Sequence, residues 1–358
     1  MKALIDGVEI DQSKNKTYIV LEAGPTHFGL ESAKKLVKIA KDSGANAIKF
    51  QYVNADRLMA DKSIPFSYEY LEKTEDGKEK FISVTEPLYE ILKRRALGDE
   101  EWIELKRYCD ELRITFFSTA LFNDEVDFIV DILKCTSIKI ASADINNLEF
   151  IKYCAKKGVN IQLDTGSADL WEIEKAIIAI EDTGAKNIII HHCPTGYPAH
   201  IESINLNIIT TLKNLFPNYS IAFSDHSPGW DMDIAAVTLG VDMIEKTITL
   251  DRTIKSCEHS FSLEEKDAKK FIKSIRDVET ALGSVRRTIP SEIREKRKNS
   301  RRSPYALQSF KAGHTISDAD FEFKRPGFGI TSEEFSFFIG KRLTRDIKEN
   351  DKLTYDYI

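Results

Sequence analysis

What is scarce in this chain narrows its class before any motif is considered. No apolar run approaches the ~20 residues that cross a bilayer, and the opening MKALIDGVEIDQSKNK has no apolar stretch of the secretory kind. Cysteine is sparse: Cys109, Cys135, Cys154, Cys193 and Cys257 form an odd, scattered set without a CxxC pair. That argues against a disulfide framework or zinc knuckle and fits a reducing compartment. Positive charge is not in excess, since 51 Lys and Arg stand against 57 Asp and Glu for a net charge of −6. A dedicated nucleic-acid binder would carry the opposite balance. The expectation is a cytoplasmic protein with neither membrane nor nucleic acid as partner.

What is present is core-forming material, 42% of 358 residues being hydrophobic, which excludes global disorder and suggests two domains or one barrel with an appendage. Eight β-rich runs punctuate the chain: Tyr18–Ala23, Ala47–Gln51, Thr115–Ser118, Ser137–Ala141, Val159–Asp164, Asn187–His192, Ser220–Ser224 and Met243–Lys246. Several are continuously apolar, as expected of parallel strands buried on both faces. Helical patterns lie between them. SAKKLVKIAKDSG places Leu36, Ile39 and Ala40 on one face and stops at Gly44, and SADLWEIEKAIIAIEDTG opens on a cap signal and closes on Gly184. A last helix is expected over 263–282. Eight strand–helix repeats predict a (β/α)8 barrel, the doubly wound sheet being the rival. The first run leads into EAGPTHFG and not GxGxxG, which favours the barrel.

Residues 52–98 separate the second strand from its helix and are rich in charge and aromatics. They read as a long loop, either a lid over the barrel mouth or a surface and oligomer contact. After the barrel, expected over 1–284, a basic linker covers 285–302 (RRTIPSEIREKRKNSRR from Arg286) and a small domain of different character covers 303–358. Chemistry in a barrel belongs at the C-terminal strand ends. Here those ends carry Glu22, Lys49, Gln51, Ser118, Thr119, Lys139, Ser142, Asp144, Asp164, Thr165, Ser224, Asp225, His226, Glu245 and Lys246. Two lysines with several hydroxyls suit a phosphate or carboxylate, the alternative being internal ion pairs with Glu22 or Glu245. His226 reads as metal ligand, general base or structural histidine. The pair His191–His192 cannot both face inward.

The set IKFQ, FFSTA, SIKIASADINN, HCPTGYP, FSDHSPGW, IEKTITLD and a late KRPGFG resembles the sialic acid synthase family across essentially the whole chain. The tail is similar to that family's antifreeze-like (SAF) domain. The resemblance implies a TIM barrel followed by a small SAF domain, in a homodimer whose SAF domain reaches the partner's site. It implies condensation of phosphoenolpyruvate with an open-chain, N-acetylmannosamine-like amino sugar to a sialic, legionaminic or pseudaminic acid, with release of phosphate. By resemblance, Lys49, Thr119, Lys139, Ser142 and Ser224 hold phosphoenolpyruvate, and Glu22, Gln51, Asp144, Tyr197, Glu258 and Arg325 face the sugar. Glu22, Lys49, Lys139 and His226 are the implied catalytic set, with His226 one of two histidine ligands to Mn²⁺ or Mg²⁺.

Four departures accompany it. Thr247 stands where the family has its second metal-binding histidine, and Asp164 replaces a phosphoenolpyruvate-contacting serine, so its charge must be turned away, paired with a lysine or neutralised by a proton. STAL replaces STPF, and KSCEHSFS replaces PGPDH. Two other readings follow: another synthase that condenses phosphoenolpyruvate with a phosphorylated aldose, or a non-catalytic homologue that binds ligand.

Overall fold

The computed structural model describes residues 2–74 and 76–358, which divide into two compact units meeting at Gly283 and Ser284. In the first, a hairpin of β1 (Ala3–Ile5) and β2 (Val8–Ile10) precedes β3 (Tyr18–Glu22), α1 (Leu30–Ser43) and β4 (Ala47–Gln51). An insertion then runs through α2 (Ala55–Leu58), β5 (Pro65–Lys73), β6 (Glu79–Pro87) and α3 (Leu88–Lys93). The repeat resumes with α4 (Asp99–Leu112), β7 (Thr115–Thr119), α5 (Asn123–Asp127), β8 (Ser137–Ile140), α6 (Leu148–Lys156), β9 (Asn160–Asp164) and α7 (Leu170–Glu181). It ends with β10 (Ile188–His192), α8 (Ile201–Ile204), α9 (Asn207–Leu215), β11 (Ser220–Asp225), α10 (Asp231–Thr238), β12 (Met243–Thr247) and α11 (Glu265–Leu282).

Strands β3, β4 and β7 to β12 close a parallel barrel, with β12 pairing back to β3. Each of the eight runs expected from sequence is one of these strands. Their apolar continuity has a direct cause. Outward residues such as Ile48, Phe50, Ile138, Ile161, Ile190 and Phe223 pack under the helices. Inward residues at the lower end, among them Val20, Ala47, Phe117, Ile189 and Met243, pack against Ala3, Ile5 and Ile10 of the hairpin. The hairpin thus fills the barrel's N-terminal end with side chains. Helix α1 buries Leu36, Val37 and Ala40 and ends on Gly44 in the left-handed conformation, φ 88°. Helix α7 starts from Asp169, which forms a capping box with Glu172.

Two expectations need correction. Residues 52–98 are not an irregular loop: β5 and β6 pair antiparallel along their whole length, and Tyr68 and Ile91 pack with Cys257. The basic segment is not a plain connector either. Its centre is helix α12 (Ser291–Ser300), which starts after Pro290 and buries none of its residues. Glu, Arg and Lys are strong helix formers, so the helix stands on propensity without an apolar face. The second unit continues with the antiparallel pair β13 (Ser303–Ala306) and β14 (Phe321–Lys324), then α13 (Ser332–Phe335). It has its own core of Phe310, Ile316, Phe321, Ile330, Phe335, Leu343 and Ile347. No helix among the described residues is long and apolar enough to cross a membrane.

Candidate active site at the barrel mouth

The strand pleat sends alternate residues inward, and near the C-terminal ends these are Glu22, Lys49, Lys139, Asp164 and Glu245. They meet in a buried ionic array. Lys49 Nζ donates to Glu22 Oε2 and to Glu245 Oε1 at 2.9 Å. Lys139 Nζ donates to the same Glu245 oxygen at 2.8 Å and to Ser224 Oγ at 3.1 Å, and lies 3.1 Å from Asp164 Oδ2. The backbone supports the array at Gly24, whose N–H donates to Glu22 Oε1 at 2.6 Å. A Cβ there would come within 2.6 Å of the Gln51 backbone nitrogen, so only glycine fits.

Burial raises the Glu22 carboxyl although Lys49 opposes it. Burial also pushes Glu245 and Asp164 up, but the lysines outweigh it and hold both below the usual carboxylate range, Lys139 contributing first in each. The array is both alternatives at once: the internal ion pairs exist, and the lysines still face a cavity.

Beneath Lys139 runs a neutral relay. His191 Nδ1 lies 2.8 Å from Ser224 Oγ and Nε2 lies 3.0 Å from Gln162 Oε1, while Gln162 Nε2 donates to Ser137 Oγ at 2.8 Å. The glutamine amide therefore accepts from His191, fixing the Nε2–H tautomer and making Ser224 a donor to Nδ1. Burial, aided by Lys139, drives the His191 pKa down to about 3, so the ring is neutral. His192 faces outward to the Ile204 carbonyl oxygen at 2.6 Å, as the pleat requires.

Above the array lies a cavity of about 230 Å³. Its walls include Glu22, Lys49, Gln51, Thr119, Lys139, Ser142, Tyr197, His226 and Glu258, the residues sequence reasoning singled out. Three others lie elsewhere. Ser224 is buried under Lys139 and spent on the relay, Asp144 sits half-buried in a 3-10 turn away from the lining, and Arg325 is exposed on the second unit. Sequence reasoning missed Cys193, Tyr52, Val53, Leu58 and Leu92, the last four from the insertion, which therefore walls the cavity. It also missed Arg95. This buried guanidinium donates to Cys257 Sγ at 2.7 Å and lies 3.9 Å from Glu258 Oε1. Glu258 sits at φ 75°, a left-handed conformation unusual for glutamate. Burial raises its carboxyl to about 7 against the pull of Arg95.

The donors do not fit a resident divalent ion. Among the described residues no three His, Cys, Asp or Glu side chains converge as a metal site. His226 Nδ1 lies 3.3 Å from the Pro194 carbonyl oxygen and the ring packs on Tyr197, 4.7 Å between centroids. In the β11–β12 register, Asp225 faces Lys246, so the next pair at the mouth is His226 and Thr247. A neutral hydroxyl is a weak ligand.

The family model described as "NeuB family" matches residues 36–287, and the SAF domain model matches 301–358. The chain belongs to the NeuB family. Similar curated relatives are the N,N'-diacetyllegionaminic acid synthases of Legionella pneumophila, 32% identical over 99% of this chain and 98% of that one, and of Campylobacter jejuni, 35% identical over 94% and 98%. Among solved structures, the Bacillus subtilis spore coat polysaccharide biosynthesis protein SpsE is 28% identical with a TM-score of 0.65, covering 99% of this chain and 98% of that one. Membership in the NeuB family makes this chain an enzyme of the sialic acid synthase type, a barrel followed by a SAF domain.

Proposed function

We propose that this NeuB-family enzyme condenses phosphoenolpyruvate with an open-chain, N-acetylated amino sugar, giving a nonulosonic acid and phosphate. The observation that carries the reading is the pair of buried lysines, Lys49 and Lys139, lining a cavity together with four carboxylates and several hydroxyl and apolar side chains. Buried ammonium groups facing a cavity suit a small, multiply charged anion. The full-length match to two legionaminic acid synthases favours a 2,4-diacetamido-6-deoxy sugar over plain N-acetylmannosamine.

In this scheme Lys49 and Lys139 neutralise the carboxylate and phosphate, with Thr119 and Ser142 donating hydroxyl hydrogens to their oxygens. The methylene carbon of phosphoenolpyruvate forms a bond to the aldehyde carbon, whose oxygen takes a proton and becomes a hydroxyl. Glu258, holding its proton to about pH 7 in the wall of the cavity, is placed to supply it. Water adds, losing a proton, at the former C2 of phosphoenolpyruvate; the C–O bond to phosphate then breaks with its electron pair leaving on phosphate, and the new hydroxyl loses its proton to become the keto group. Gln51 and Tyr197 also line the cavity and are assigned to the sugar. No step is routed through a metal, because the donors around His226 do not make a resident site.

Phosphate release from phosphoenolpyruvate tests the proposal, with N-acetylmannosamine and its 2,4-diacetamido-6-deoxy analogues as acceptors, each with EDTA or Mn²⁺. Sugar-dependent release with the diacetamido acceptor is expected, and release with none of them would count against the reaction. Turnover unaffected by EDTA agrees with the donor set. Turnover abolished by EDTA would show that His226 recruits an ion together with ligand oxygens. Arg325 is tested in the same assay, Arg325→Ala being expected to raise KM for the sugar, and gel filtration tests the homodimer.

A further inference from the structure

The ammonium of Lys139 has three N–H donors, and three oxygens already occupy its surroundings: Glu245 Oε1 at 2.8 Å, Ser224 Oγ at 3.1 Å and Asp164 Oδ2 at 3.1 Å. An entering phosphate or carboxylate therefore cannot gain Lys139 without displacing one of them. Ser224 is pinned from below by His191. Glu245 is fully buried and bridges both lysines. Asp164 and Glu245 each touch Lys139 with one oxygen, line the cavity and leave the other oxygen without a hydrogen-bond partner, but Asp164 is tied to one lysine where Glu245 holds two, and its side chain is the more exposed, 13% against 5%. Its carboxylate would stand beside the anion it must admit, and three carboxylates (Glu22, Asp164, Glu245) already share two ammonium groups.

We propose that Asp164 is an internal competitor for the ligand anion: it occupies an anion position on Lys139, is displaced as the anion enters, and reclaims the lysine as phosphate leaves. This rests on the reading of the cavity as a phosphoenolpyruvate site and adds a specificity-determining residue to it. A carboxylate retained in that position sacrifices anion affinity. In return it prevents the lysines from holding product phosphate, so its removal strengthens binding, whereas loss of a merely structural ion pair would weaken it.

The experiment is calorimetric titration of the full chain, as wild type, Asp164→Asn and Asp164→Ser, with phosphoenolpyruvate and separately with inorganic phosphate. Both variants are expected to bind both anions about tenfold tighter or more, the scale of one charge–charge contact near a partly screened site. Phosphate should also become a correspondingly stronger product inhibitor. Unchanged or weaker binding in variants that melt within a few degrees of wild type would overturn the inference while leaving the phosphoenolpyruvate site standing. Binding of neither anion to any of the three proteins would overturn the site reading itself, and the competitor role with it.

Discussion

Glu258 shows at the scale of one residue how the fold prepares chemistry. Its burial, against the pull of Arg95, raises to about 7 a carboxyl that would titrate near 4.5 in the unfolded chain. The sign of the linkage follows. Between those pH values the unfolded chain has lost this proton and the folded one keeps it, so the stability that Glu258 contributes falls as pH rises from about 4.5 to about 7 and is level above. Glu258→Gln cannot lose a proton. The variant is therefore expected to gain stability relative to wild type as pH is raised from 5 to 8, read by urea unfolding, and to remove a kinetic ionisation near pH 7 from the activity profile while lowering kcat. A profile unchanged by the substitution would assign the proton to another group.

The lysines and Gln51 were legible in the sequence because a barrel brings strand ends together and a lysine in AIKFQ or SIKIA needs a partner there. Glu22, Glu245 and Asp164 were legible as possible partners, but which lysine each meets was not. Asp164 meets Lys139, and Glu245 bridges two lysines from different strands, pairings that depend on shear around the barrel and leave no trace in periodicity. Arg95 gave no signal because it stands in KRRAL beside two other basic residues, Lys93 and Arg94, a run that reads as solvated surface.

Elements were easier to read than contacts, and the two misread ones explain themselves. SYEYLEK and EKFISVTEP alternate with period two, yet their charge and low burial, with Phe81 exposed, masked the strand signal. The basic helix α12 lacks the apolar stripe on which helix recognition depends. A third feature lies behind the barrel wall. Lys246 on β12 donates to Asp225 and to the Ser227 carbonyl oxygen at 2.6 Å, and lies 3.4 Å from Asp233 on α10, all of these side chains being buried. Asp225 in turn accepts from the Ser227 N–H at 2.9 Å. The cluster clamps the turn between β11 and α10 that presents His226. Burial raises the Asp233 carboxyl well above its ordinary value against the pull of Lys246, so Lys246→Met strands Asp225 foremost and is expected to cost about 3–5 kcal/mol in urea unfolding. A loss below 1 kcal/mol would show the cluster to be already neutralised by protons.

At the scale of the whole barrel, the interior is graded from apolar at the hairpin end, through the neutral relay of His191 and Gln162, to the charged array under the mouth. Polar residues inside a barrel are tolerable only when each is partnered, so this grading places chemistry at one end and cohesion at the other. The hairpin that fills the lower end also governs traffic. With that end filled by side chains, a ligand on the buried lysines lies deeper in the barrel than one nearer the rim, and is expected to arrive before it and depart after it. Initial-rate kinetics should therefore be ordered, the small anion binding first and the sugar second, with free phosphate competing against phosphoenolpyruvate and not against the sugar. Random-order kinetics would mean that the two substrates pass one another, against this reading of the site.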